Sequence, residues 1–207
     1  MNLYRGRFAP SPTGPLHLGS LFAALISYLE ARSQHGKWLL RIEDIDPLRE
    51  QPGSHQTILD TLVAHGLNWD ESVRFQSQQT KLYERTLALL ANNKQLYACP
   101  CSRKQLLASN GQHTEHCQQT PYKPTQALQR ALKFIASNQI YSWQDAIQGK
   151  QSHALNEDFV LKRKEGFYAY QLAVVCDDID QQITHIVRGC DMLSSTPMQL
   201  ALYKAIN

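Results

Sequence analysis

Two constellations in this chain carry residue types that can do chemistry. The first is Cys99-Pro100-Cys101, followed by His113 and Cys117. Three thiolates and an imidazole make a closed tetrahedral set of the kind that holds structural zinc. Cys-x-Cys is tighter than the usual Cys-x-x-Cys, and His116 beside Cys117 competes with His113 for the fourth place. The second constellation is Arg7-Phe8-Ala9-Pro10-Ser11-Pro12-Thr13-Gly14-Pro15-Leu16-His17-Leu18-Gly19-Ser20. Its prolines and Gly14 forbid regular structure. Gly14 and Gly19 permit close backbone approach, and His17 is placed to hydrogen-bond a phosphate oxygen as negative charge builds on it.

These residues need elements to position them. Leu3–Phe8 read as a short strand, and after the Pro-rich loop Leu21, Phe22, Leu25, Ile26 and Leu29 fall on one helical face, with Gly36 as a C-terminal stop. Lys37–Glu43 is almost continuously apolar, as expected of a parallel strand covered on both faces. The result is a βαβ unit, and the loop sits at the carboxyl end of its first strand, where a helix N-terminus offers N–H groups to a phosphate. A second helix is expected over about Gly53–His65, closed by Gly66, and a third near Thr80–Asn93. From Tyr97 to about Asp158 the pattern weakens, which reads as an insertion. Beyond it, Phe159–Arg163 reads as a strand, Tyr168–Val175 as a buried apolar segment, Ile183–Val187 as a further strand, and Pro197–Ile206 as a helix entered through Ser194, Ser195 and Thr196. Asp177-Asp178 is compatible with a metal site or coupled acid-base chemistry. Acidic turn residues between strands is the preferred reading.

Composition sets the frame. The 207 residues are 43% hydrophobic and 19% charged, which fits one sizeable domain or a compact domain with an insertion and argues against disorder or coiled coil. A net charge of +3 permits a nucleic-acid partner without requiring one. There is no run of ~18 apolar residues and no apolar signal core, so a cytoplasmic protein without a membrane is expected. Five cysteines, an odd number, argue against a disulfide framework. Cys176 and Cys190 read as small apolar packing residues.

The run Arg-Phe-Ala-Pro-Ser-Pro-Thr-Gly-x-x-His-x-Gly resembles the signature of the glutamyl and glutaminyl class I aminoacyl-tRNA synthetases, where it holds the "HIGH" element, here His17-Leu18-Gly19-Ser20. Arg41-Ile42-Glu43-Asp44-Ile45-Asp46-Pro47-Leu48-Arg49, Asp158-Phe159-Val160-Leu161, Tyr168–Val175, Asp177-Asp178, Thr184–Asp191 and Ser194–Gln199 resemble later elements of the same family. Within it, the short cysteine-bearing segment is similar to the glutamyl-Q tRNA(Asp) synthetase family of short paralogues. Those carry Cys-x-Cys and then a tyrosine four residues before a last cysteine. His113 stands at that tyrosine position and is taken as the ligand with Cys99, Cys101 and Cys117.

The resemblance implies an α/β, Rossmann-like catalytic domain with a parallel sheet. Its first half spans 1–97, a zinc-bearing insertion spans 98–157, and its second half spans 158–207 and stops before the family's KMSKS loop. It implies a catalytic set of His17, Gly19 and Ser20, and an ATP site formed by Pro10, Gly14, His17 and Gly19. Arg7, Ala9, Ser11, Glu43, Tyr170 and Arg188 would line a glutamate site, with Glu43 receiving the ammonium. Two arginines suit a diacid better than a neutral amide. The implied activity is activation of glutamate with ATP and Mg²⁺, then transfer to queuosine in the anticodon of tRNA(Asp), by a monomer with structural Zn²⁺ and an RNA-facing insertion. The alternatives are the amino-terminal catalytic part of a glutamyl-tRNA synthetase, or a non-catalytic zinc-stabilised RNA-binding derivative.

Overall fold

The structure, a computed structural model, describes residues 3–101, 103–108, 117, 122 and 130–207. In chain order the elements are β1 (Arg5–Phe8), α1 (Leu18–Ser33), β2 (Lys37–Ile42), α2 (Ser54–Ala64), β3 (Arg74–Phe75), α3 (Thr80–Asn92) and β4 (Leu96–Cys99). There follow α4 (Arg103–Ala108), β5 (Ala131–Phe134), β6 (Gln139–Asp145), β7 (Gly149–Leu155), β8 (Phe159–Lys162), α5 (Tyr170–Asp180) and α6 (Thr196–Ile206). The chain divides into two compact units, Met1–Thr80 with Asp177–Leu193, and Lys81–Cys176 with Ser194–Asn207.

The first unit is built on a parallel sheet in the order β1-β2-β3, with Arg5 opposite Lys37 and Arg41 opposite Arg74. Trp38, Leu39, Leu40, Arg41 and Ile42 are all buried, so β2 is covered on both faces, as its near-continuous apolar run predicts. Helix α1 departs from expectation. Ala24, Ser27 and Ala31 form its buried face, whereas Phe22, Leu25, Ile26 and Leu29 are exposed. Small residues let the helix lie close to the sheet, and the Trp38 indole N–H donates to Ser27 Oγ across that contact (2.8 Å). Gly36 also has a different part from the expected one: His35, not Gly36, takes the left-handed conformation (φ 50°). A Cβ on Gly36 would lie 2.4 Å from the Tyr4 carbonyl oxygen, so glycine is needed there for backbone approach.

No strand forms over 183–187. The Arg5 carbonyl accepts from both Thr184 N–H (2.9 Å) and His185 N–H (3.3 Å), and the Arg5 N–H donates to Thr184 Oγ1 (2.9 Å). The side chain thus takes the place of a ladder partner.

The second unit carries an antiparallel sheet in the order β4-β5-β8 and a separate hairpin, β6–β7. The hairpin occupies part of the segment with weak periodicity. Its turn is closed by Asp145 Oδ1, which accepts from the N–H groups of Ile147 and Gln148 (2.9 and 2.8 Å), and Gly149 takes a positive φ of 74°. Helix α3 buries Tyr83, Thr86, Leu87 and Leu90. Helix α6 forms where expected, but Ser195 lies in the preceding 3-10 turn and makes no side-chain cap. The apolar run 168–175 is largely helical, in α5. Among the described residues, no helix is long and apolar enough to cross a membrane.

Candidate active site and candidate metal centre

The Pro-rich loop leaves the carboxyl end of β1 and is fastened at several points. Pro10 is buried and its carbonyl accepts from the Glu43 N–H (2.9 Å), while the Pro12 carbonyl accepts from Gln51 N–H (3.0 Å). Ser54 Oγ accepts from Gly14 N–H (2.9 Å) and donates to Gly14 O (2.8 Å). Gly14 has φ +143°, a conformation glycine adopts readily. No local pattern marks Ser54, the first residue of α2, or Gln51 as partners of a loop some forty positions away.

The loop delivers His17 to the start of α1 as an exposed N-cap. Its Nδ1 accepts from Ser20 N–H (3.2 Å) and its Nε2 lies 2.9 Å from Ser20 Oγ. A ring accepting at Nδ1 carries its proton on Nε2, so Ser20 fixes both tautomer and orientation. Gly19 is also exposed, and a Cβ there would come within 3.1 Å of the His17 ring. The first N–H groups of a helix favour anions.

Behind this loop lies a buried cluster of charges. Arg7 is 4% exposed and grips Asp178 at two points: Nε donates to Oδ1 (3.1 Å) and Nη2 to Oδ2 (3.3 Å). Arg41, fully buried, donates from Nη2 to Asp178 Oδ1 (2.8 Å) and from Nη1 to Gln181 Oε1 (2.9 Å). Asp177 accepts from Arg74 Nη1 (3.2 Å) and Gln76 Nε2 (2.8 Å). Asp177-Asp178 is therefore not a surface turn: both residues stand on α5, 0% and 2% exposed. A sequence signal for this existed. An arginine inside a strand buried on both faces requires a buried counter-charge, and the acid pair was available to supply it.

The electrostatics follow from this packing. Burial would raise Asp178, but Arg7 and Arg41 hold it below the usual carboxylate range. Burial would lower Arg41, but Asp178, Glu43 and Asp177 hold it above its ordinary value. Glu43 goes the other way. Burial pushes it up to about 7, against the opposing effect of Arg41 and Arg7. Its Oε1 lies 3.7 Å from Arg41 Nε and accepts no hydrogen bond among the described residues.

The structure thus brings Arg7 and Glu43 into one charge cluster, with Pro10, Gly14, His17, Gly19 and Ser20 on the loop and helix start beside it. Ala9, half-buried, and Ser11, exposed, follow β1 on the same loop. Arg188 is half-buried in the irregular segment before Cys190. Tyr170, also half-buried, is the first residue of α5 and belongs to the second unit.

In the second unit Cys99, at the end of β4, Cys101 and Cys117 have sulfurs within 4.8 Å of one another. Cys117 Sγ lies 3.3 Å from Cys99 Sγ and 3.7 Å from Cys101 Sγ. Three thiolates on a tetrahedral zinc with Zn–S of about 2.3 Å stand about 3.8 Å apart, so the sulfurs fit such an ion. His113 and His116 lie outside the described residues. Tyr97 packs against the cluster, and its hydroxyl donates to Asp158 Oδ2 (3.0 Å) while Asp158 Oδ1 accepts from Ala136 N–H (2.7 Å). Cys176 is buried against Thr86, but Cys190 is exposed and so is not the packing residue expected. All five cysteines are thiols.

A parallel sheet whose first strand hands a His-capped helix start to solvent, beside a buried pair of arginine and glutamate, defines a class. The chain belongs to the class I tRNA synthetase family (E and Q), catalytic domain, whose family model matches residues 4–207. It is 48% identical to the glutamyl-Q tRNA(Asp) synthetase of Idiomarina loihiensis over 98% of its own length and 71% of that protein's. It is 48% identical to the glutamyl-Q tRNA(Asp) synthetase of Colwellia psychrerythraea over 99% of its length and 67% of that protein's. Among solved structures, a glutamate tRNA ligase from Elizabethkingia meningosepticum, solved in complex with its amino acid, superposes with a TM-score of 0.86 at 29% identity. That match covers 99% of this chain and 47% of the ligase, so the chain spans about half of that enzyme.

Proposed function

We propose that this protein activates glutamate with ATP to glutamyl-adenylate and transfers the glutamyl group to queuosine in the anticodon of tRNA(Asp). The observation that carries the reading is the pairing, at the carboxyl end of β1, of an exposed His17-capped helix start with buried Arg7 and Glu43. An anion-binding end and a zwitterion-binding end side by side suit ATP and an amino acid. The names of the relatives at 48% identity, glutamyl-Q tRNA(Asp) synthetase, support tRNA(Asp) as the acceptor molecule.

In this reading Arg7 and Arg188 meet the substrate's carboxylates, Glu43 receives its ammonium, and Ala9 and Ser11 line the pocket. The substrate carboxylate attacks the α-phosphorus of ATP and pyrophosphate departs. A queuosine hydroxyl then attacks the activated carbonyl and AMP departs. Pro10, Gly14 and Gly19 shape the ATP loop, and His17 and the α1 amides stabilise charge growing on the phosphate. Magnesium, held chiefly by the ATP phosphates, supplies further neutralisation there. Cys99, Cys101, Cys117 and His113 would hold zinc in a closed shell that shapes the 98–157 segment as an RNA-facing surface, leaving no site for water to react.

The test is glutamate-dependent ATP–pyrophosphate exchange without tRNA, followed by transfer of labelled glutamate to queuosine-containing tRNA(Asp). Exchange and transfer to the anticodon are expected. Transfer to the 3′ end of tRNA(Glu) would establish the amino-terminal part of a glutamyl-tRNA synthetase instead. RNA binding with neither exchange nor transfer would establish the non-catalytic derivative.

A further inference from the structure

The cluster behind the loop holds more charge than a fold needs. Three guanidiniums, Arg7, Arg41 and Arg74, face four carboxylates, Glu43, Asp177, Asp178 and Asp180. Replacing such buried pairs by apolar residues of similar size is often neutral or stabilising, so stability alone does not explain them. Their geometry is informative. One carboxylate, Asp178, holds both Arg7 and Arg41, and Arg41 in turn lies between Asp178 and Glu43. The Arg41 Nε is also 4.0 Å from Asp177, which Gln76 and Arg74 hold in place. Every charged group in this chain of contacts except Arg74 and Asp180 is at most 9% exposed.

We propose that Asp178 is a positioning residue for the amino-acid end of the site, acting through Arg7 directly and through Arg41 on Glu43. The inference rests on the glutamate site proposed above and deepens it. A two-point ion pair leaves a guanidinium no rotational freedom in its own plane, so Arg7 presents its remaining N–H donors in one direction. Glu43 is left as the carboxylate whose Oε1 has no hydrogen-bond donor among the described residues. Glu43 is thereby the member of the cluster with a carboxylate oxygen left over for a donor from outside it. Recognition of a carboxylate and an ammonium on one small molecule requires the two recognising groups at a fixed separation, held by groups that do not touch the substrate.

The experiment is calorimetric titration of the intact protein, as wild type, Asp178→Asn and Asp178→Glu, with L-glutamate and separately with ATP. Asp178→Glu keeps the charge but moves the carboxylate by about one methylene, ~1.5 Å, so it separates position from neutralisation. Wild type should bind glutamate, and both variants should bind it at least about tenfold more weakly, while their ATP affinity changes by less than about twofold. Glutamate affinity in Asp178→Glu equal to wild type would overturn the proposal, as would equal losses for both ligands. Should Asp178→Asn fail to fold, Asp178→Glu decides alone by the same criteria. A wild type that binds ATP but not glutamate would overturn the glutamate site itself, and the positioning role with it.

Discussion

The two buried ionisable clusters solve the same physical problem in opposite ways. Behind the Pro-rich loop, the carboxylates of Asp177 and Asp178 are neutralised from within by Arg7, Arg41 and Arg74. In the second unit, Cys99, Cys101 and Cys117 bring together groups that are all acids, and burial with the neighbouring thiols pushes the Cys117 thiol up. The first cluster is complete in charge apart from Glu43. The thiol cluster contributes acids only, a donor set compatible with an external cation. In the proposed function the opposite charges suit a zwitterion, whereas the like groups suit a metal.

The sharpest way to break this comparison is to remove the cation. Structural zinc contributes an apparent stabilisation of about 10–16 kcal/mol in small zinc domains at neutral pH, so metal removal has the largest expected effect. Purified protein should contain about one zinc per chain by mass spectrometry, consistent with a single closed site. Cys99→Ser should lose it, with the amides of β4 and β5 losing hydrogen-exchange protection. Metal-free protein with undiminished protection would show that the thiols need no cation.

Next in size is removal of a charge from the self-compensated cluster. Asp178→Ala leaves Arg7 and Arg41 buried without their shared partner and should cost about 3–5 kcal/mol in urea denaturation at neutral pH. Asp178 is held below its usual range, so its contribution is present above the unfolded carboxylate pKa and lost as pH falls through the depressed folded value. The difference between wild type and variant should therefore shrink in acid. A cost independent of pH down to full protonation would contradict the charge assignment.

This cluster is also where the sequence was hardest to read. The strand–loop–helix, the doubly covered β2 and the thiol triad were legible because each is set by local pattern: proline and glycine, a continuous apolar run, closely spaced cysteines. Arg7 and Asp178 meet across 171 positions, and no local period announces such a pair. The acids looked like a turn because acidic turn residues between strands are common. Here the helix turns them inward because buried guanidiniums await them. The exposed Phe22, Leu25, Ile26 and Leu29 of α1 were misread for a related reason. Residue size, not hydrophobicity, selected the face that lies on the sheet.

Glu43 tests the imperfection in the cluster's balance. Its pKa rises from 4.5 to about 7, so the folded state holds a proton that the unfolded chain has released over that interval. Stability should fall as pH rises across it and level off above, by roughly 3 kcal/mol in total. In Glu43→Gln this slope should vanish, and the variant should gain on wild type as pH rises from 4.5 to about 7, the interval that linkage assigns to this group. Identical slopes in the two proteins would place the uncompensated charge elsewhere.

The smallest effect comes from the same chemistry placed in water. Glu71 accepts from Arg5 Nη1 and Lys37 Nζ, both at 2.8 Å, and these hydrogen bonds bring its pKa down to about 2. That shift is large, yet the Glu71 side chain is 39% exposed and Lys37 43%, so solvent and salt screen what the pair contributes. Glu71→Gln should cost no more than ~1 kcal/mol, because exposed pairs give up side-chain freedom for attraction that water already weakens. Its contribution should be present above the unfolded glutamate pKa and fade as pH falls toward 2. Raising salt from ~0.1 to ~1 M shortens the screening length from about 10 to about 3 Å, and should erase the cost of Glu71→Gln while leaving that of Asp178→Ala nearly intact. Equal salt sensitivity in the two variants would mean that burial does not separate them, and the distinction between a cluster that presets a site and a surface ion pair would fail.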